Sequence, residues 1–105
     1  MKTIIDQEAA RELELYTENT RRIYDAYTVP TIRNLTRKVK AGKYDREKAC
    51  KAWEYVAEAA AKLYCKEFAE PTAWHIVFNA ATRRAVAASL EASYKAEYID
   101  TGWEA

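Results

Sequence analysis

Two glycines and two prolines in 105 residues leave this chain very few places to turn. A sandwich or barrel needs turn chemistry about every 8–12 residues, so both are excluded. Pro30, Gly42, Pro71 and Gly102 instead divide the chain into helix-length pieces. Half of the residues are hydrophobic and 31% are charged, a mix that folds rather than stays disordered. The length suits one domain, residues 1–105, around a single core.

Between the breaks the period is helical. Asp6 is placed to cap a first helix, with Glu8 and Glu12 near the positive end of its dipole. Ala9, Leu13, Tyr16, Thr20, Ile23, Tyr24 and Tyr27 follow at three- and four-residue steps. Pro30 interrupts by removing a donor and biasing Val29 away from helical geometry. Ile32, Leu35 and Val39 continue nearly in phase, so the first helix is either kinked or split at Pro30. Gly42 supplies a left-handed C-cap and Asp45 the next N-cap. Ala49, Trp53, Val56, Ala60, Leu63, Tyr64 and Phe68 make the second buried face. Glu58 to Lys62 is a favourable i,i+4 pair on its wet side.

Pro71-Thr72 starts a third helix running to about Ile99, with Thr101-Gly102 as its end and Trp103 beyond. It is apolar over two stripes, one from Trp74 to Ala92 and one from Ile76 to Tyr98. The predicted fold is therefore all-α: an antiparallel bundle of three long helices with short connections. A straight first helix would be about 54 Å long against about 36 and 42 Å for the others. Either Pro30 bends it back, or the overhang packs on a second copy. The wide apolar arcs lean toward a homodimer.

The most concentrated charge lies from Arg33 to Lys51, with eight Lys or Arg against two acids. Arg33, Arg37, Lys40, Lys43, Arg46, Lys48 and Lys51 cluster around the turn, with Tyr44 at its tip able to stack on a partner. These residues are the candidate partner-binding site. A protein partner is the first reading, and nucleic acid bound through phosphates is the second. A competing reading keeps the charge inside the fold, because an antiparallel third helix returns Glu91, Glu97, Asp100 and Glu104 to the same end. The net charge of +1 gives no global pull toward polyanions.

Catalytic chemistry finds no support in the residues. One histidine, His75, and two cysteines, Cys50 and Cys65, do not supply the matched ligands of a metal site. The cysteines are about 22 Å apart along one helix and cannot pair within it. Two free thiols indicate a reducing, cytoplasmic setting. There is no phosphate-cradling glycine loop and no nucleophile–base arrangement, so no cofactor, metal or catalytic residue is assigned. No apolar run approaches the length of a membrane span, and Met1 to Asp6 lacks a signal-peptide core. The doublets Arg21-Arg22 and Arg83-Arg84 interrupt apolar arcs. One arginine of each should lie near a helix interface and meet a carboxylate, Asp25 or Glu18 for the first. An anionic-ligand or catalytic site between helices is a third reading.

The runs Val29-Pro30-Thr31-Ile32-Arg33-Asn34-Leu35, Lys40-Ala41-Gly42-Lys43-Tyr44-Asp45 and Lys66-Glu67-Phe68 resemble small helical proteins of phages and mobile elements. The likeness spans most of the chain but rests on a proline bend and two caps, so it carries over no catalytic or binding residue. What it implies is a class of function: a small protein that binds, and inhibits, a host protein.

Overall fold

The computed structural model describes residues 6–100, and among these the chain is all-α with no strand. Its helices are α1 (Gln7–Asn19), α2 (Arg21–Ile23), α3 (Val29–Lys40), α4 (Arg46–Phe68), α5 (Trp74–Val77) and α6 (Ala80–Tyr98). A π-helical turn, Tyr24–Thr28, joins α2 to α3, and a 3-10 turn, Pro71–Ala73, precedes α5.

The caps lie where the residues demand them. Asp6 accepts from the Ala9 N–H at 3.0 Å and starts α1. At the end of α3, Gly42 takes φ +70°, its N–H donates to the Val39 carbonyl at 3.1 Å, and the Lys43 N–H reaches the Lys38 carbonyl at 2.8 Å. This is a Schellman cap, which satisfies two carbonyls the helix cannot. A side chain at Gly42 would meet nothing within 4 Å, so glycine is needed there for its backbone alone. The left-handed conformation costs any other residue about 1–2 kcal/mol. Asp45 then accepts from the N–H groups of Glu47 and Lys48 and starts α4.

The three long helices expected from the sequence are not what forms. The first piece breaks at Thr20, which is extended at φ −95°, ψ 109°, ten residues before Pro30. Pro30 itself sits inside a helix. Thr28 and Val29 are both helical, at φ −66°, ψ −51° and φ −61°, ψ −48°, contrary to the expected bias before proline. A proline ring collides with the carbonyl four residues back, here that of Ala26, within the π turn. The wider turn shifts the Val29 N–H onto the Tyr24 carbonyl, and the Thr31 hydroxyl takes the Tyr27 carbonyl at 2.8 Å. Helical direction is kept by inserting an extra residue into one turn.

The third piece is also divided. Phe78 and Asn79 are non-helical, at φ −118°, ψ 81° and φ −65°, ψ 171°. Asn79 accepts from the Thr82 N–H at 2.9 Å as the N-cap of α6. The long helix therefore starts at Ala80, not at Pro71. The proposed end at Thr101-Gly102, Trp103 and Glu104 lie outside the described residues.

α1, α4 and α6 enclose the core. Asp6 meets Thr82 and Ser89 donates to Glu14, so α1 and α6 run side by side in the same direction. Tyr64 packs on Phe78 at one end of α4 while Arg46 meets Glu91 at the other, so α4 and α6 are antiparallel. Close approach follows from alanine: Ala49, Ala57, Ala60 and Ala61 of α4 and Ala87 of α6 are all buried, beside Leu13, Trp53, Val56, Phe78, Val86 and Leu90. Phe68, expected to close this face, is 68% exposed. α3 joins the core through Leu35 and through Thr36, which hydrogen-bonds the Tyr94 hydroxyl at 3.0 Å. Breaking the first piece at Thr20 removes the overhang, and with it the length argument for a dimer.

Tyrosine hydroxyls fasten these helices to one another. Tyr16 donates to Glu67 and Tyr64 to Glu12, each at 2.5 Å, tying α1 to α4. Burial and then the Glu67 carboxylate push the Tyr16 hydroxyl from 10.0 up to about 12. The Glu12 hydrogen bond and burial raise Tyr64 as well. A raised pKa means the folded chain holds the phenol proton more tightly than the unfolded chain. That contribution is complete below pH 10.0 and disappears as pH rises through about 12. Urea unfolding across this window should show stability falling with pH, with a shallower fall for Tyr16→Phe. An unchanged slope in that variant would refute the linkage.

Candidate functional site

The basic turn divides into an anchored part and an open part. Glu91 of α6 is 2% exposed and accepts from the Tyr44 hydroxyl at 2.7 Å, with Arg46 Nε at 3.5 Å. The Tyr44 ring also stacks on Tyr94, centroids 6.1 Å apart. Burial first, then Glu91, pushes the Tyr44 hydroxyl above its ordinary range, and the same two causes raise Cys50. Tyr44 is thus a clasp between the turn and α6, with both ring and hydroxyl engaged inside the fold rather than offered at a tip. The expected internal balance of charge holds for Arg46 and Glu91. Arg33, Arg37, Lys40, Lys43, Lys48 and Lys51 are exposed, the first three along one face of α3 beside Ile32 and Thr36.

A second feature brings together Arg22 of the first doublet and the Glu58–Lys62 pair with residues not expected to form a site. A groove of about 440 Å³ runs between residues 22–27 and α4. Ile23, Ala59 and Leu63 form its apolar floor, and Tyr27 and Tyr55 flank it. Tyr55 is 71% exposed, more than any other Tyr, Trp or Phe among the described residues. Arg22, Lys62 and Lys66 supply three cations against Glu58, which is itself bound to Lys62 at 3.1 Å. From Tyr55 to Lys66 the groove follows α4 for about 16 Å. Arg22, Ile23 and Tyr27 all lie between the break at Thr20 and Pro30. Neither Thr20 nor the π turn carries a sequence signal beyond the proline six residues past Tyr24.

A third feature is a cavity of about 190 Å³ on the other side of the π turn, bounded by α1, α3, Trp53 of α4 and the C-terminal half of α6.

The arginine doublets do not form a site together. Arg21 and Arg22 are both exposed, Arg21 pairing with Asp25 at 3.3 Å on the surface. Arg83 is half-buried, yet it donates to the Phe78 carbonyl at 2.6 Å and lies 4.9 Å from the Trp74 ring instead of meeting a carboxylate. Lys62 approaches the same ring at 4.9 Å, so Trp74 is held by two cations. His75 is exposed beside Trp74. Cys50 and Cys65 are free thiols, and burial raises both. Among the described residues no three His, Cys, Asp or Glu side chains gather to hold a metal ion, and no helix is long and apolar enough to cross a membrane.

No family model, curated protein or solved structure matches this chain.

The Glu91 clasp gives a contrast that denaturation can measure. Glu91→Ala leaves the half-buried Tyr44 hydroxyl without its acceptor and opens space in the core, which should destabilise by about 2–3 kcal/mol. Arg46, 74% exposed, contributes by a solvated pair, so Arg46→Ala should cost under about 1 kcal/mol. Equal losses for the two variants would contradict the assignment of Tyr44 as the main partner.

Proposed function

We propose that this protein is a protein-interaction module whose partner seats in the groove between residues 22–27 and α4. The observation that carries the reading is the combination in one groove of an apolar floor, an aromatic as exposed as Tyr55 and three cations. Tyrosine and arginine dominate the binding energy of protein interfaces, and an apolar groove between helices is a common seat for an amphipathic helix. The charge favours an acidic segment of about three turns, matching the 16 Å length. The phage-like resemblance adds a partner class, a host protein inhibited by being covered. A homodimer would use the same exposed aromatics.

Nucleic acid is the second reading, favoured by Arg33, Arg37 and Lys40 lying exposed along one face of α3. Phosphate contacts would appear as affinity falling steeply with salt.

One experiment separates them. A tagged copy is recovered from its own host at moderate salt, and the co-purifying material is read by mass spectrometry and by staining for nucleic acid. The expected result is a defined protein in proportion to the bait, lost with Tyr55→Ala plus Lys66→Glu and retained with Lys40→Glu plus Lys43→Glu. Loss in the second variant only, or recovery of nucleic acid in place of protein, would overturn the groove and favour the basic turn.

A further inference from the structure

The groove is one half of a longer feature of α4. At 3.6 residues per turn, Lys48, Lys51, Tyr55, Lys62 and Lys66 fall within about 60° of one another around the helix axis. All five are exposed. The stripe runs for about 27 Å, or five turns, whereas the wall made by residues 22–27 accompanies only the three turns from Tyr55 to Lys66. Lys48 and Lys51 continue the line beyond that wall, toward the start of α4. Arg46 points to the other side of the helix, where Glu91 meets it. The signs of charge are segregated. Glu58, at the edge of the stripe, is bound to Lys62 at 3.1 Å, and among the described residues Lys48, Lys51 and Lys66 form no ion pair. Glu47 and Glu54 lie farther round, on the flank away from the groove floor of Ala59 and Leu63. Lys62 and Lys66 are like charges at i,i+4, which weakens a helix rather than supports it.

We propose that the binding surface extends past the groove along this whole face of α4, and that its partner is an acidic amphipathic helix of about five turns. The inference rests on the groove being the seat of a protein partner, and adds the length of that partner and the placement of its charge. Three turns lie in the groove, with apolar side chains on Ile23, Ala59 and Leu63 and acids toward Arg22, Lys62 and Lys66. The remaining two turns run over Lys48 and Lys51, and meet them through acids alone. Glu47 and Glu54 repel an acidic helix that drifts off the stripe, so charge fixes its path as well as its affinity. The floor decides between the two polyanions that lysines attract. Bases stack on aromatic faces, whereas Ile23, Ala59 and Leu63 form an aliphatic surface suited to Leu or Val side chains.

Fluorescence polarisation of the full chain with two labelled peptides of about 18 residues tests it. Both carry Leu along one helical face. The first has Glu in every turn, and the second keeps Glu in three consecutive turns and has Gln in the rest. The expected result is binding of both, with the first at least tenfold tighter at low salt. Lys48→Gln plus Lys51→Gln, at exposed positions that leave the core intact, should remove that advantage and leave the second peptide unchanged. Tyr55→Ala should weaken both. Equal binding of the two peptides, or no effect of the lysine variant, overturns the extended surface while the groove reading stands. Binding of neither peptide at millimolar concentration overturns both. Tighter binding of a labelled single-stranded DNA oligomer, lost in the lysine variant, overturns the helix in favour of nucleic acid.

Discussion

A proline inside a helix is the constraint from which the distinctive features of this structure follow. Pro30 has no N–H to give and a ring that collides with the carbonyl of Ala26. The chain upstream absorbs both by widening one turn, Tyr24–Thr28, so that the Val29 N–H reaches back five residues to Tyr24. The extra residue rotates everything before it relative to α3. Arg22, Ile23 and Tyr27 then face α4 across the groove, while Tyr24 and Thr28 face α6 across the smaller cavity. One local adjustment thus furnishes a wall of the groove and a wall of the cavity, in keeping with the frequent placement of π turns at functional sites.

The rest of the fold is a frame that tolerates such a segment. α4 is buried through alanines, which let α1 and α6 approach closely but bury little area per residue. Directional bonds supplement that modest apolar area. Tyr16 with Glu67, Tyr64 with Glu12 and Tyr44 with Glu91 each fix a pair of elements at a defined register. The clasps also explain the tyrosine-rich composition, since a tyrosine can cover a core with its ring while its hydroxyl reaches a carboxylate at the edge.

Much of this was legible in the residues, and the exceptions are instructive. Asp6, Gly42 and Asp45 act through local backbone geometry, and all three capped helices as expected. Glu58 with Lys62 and Arg46 with Glu91 formed as charge complementarity suggested. Pro71 does follow the end of α4 at Phe68, but Pro30 breaks nothing, because a widened turn absorbs it. Pro30 was accommodated, and the chain parted at Thr20, where a β-branched residue adopts extended geometry without a side-chain cap. Asn79 was readable as an N-cap ahead of an alanine run, but Pro71 drew the boundary earlier. Pattern puts Trp53 on a buried face and Glu91 at the basic end, but a buried carboxylate and an orphaned indole depend on which helices meet, and no one-dimensional period records that.

The claim most open to direct test is that Pro30 causes the π turn. In a high-resolution structure of the Pro30→Ala protein, residues 24–28 should tighten to α-helix, and the Val29 N–H should move from the Tyr24 carbonyl to that of Asp25. The groove and the cavity on either side should change shape with it. A π turn that persists in Pro30→Ala, with Val29 still bonded to Tyr24, would contradict the account.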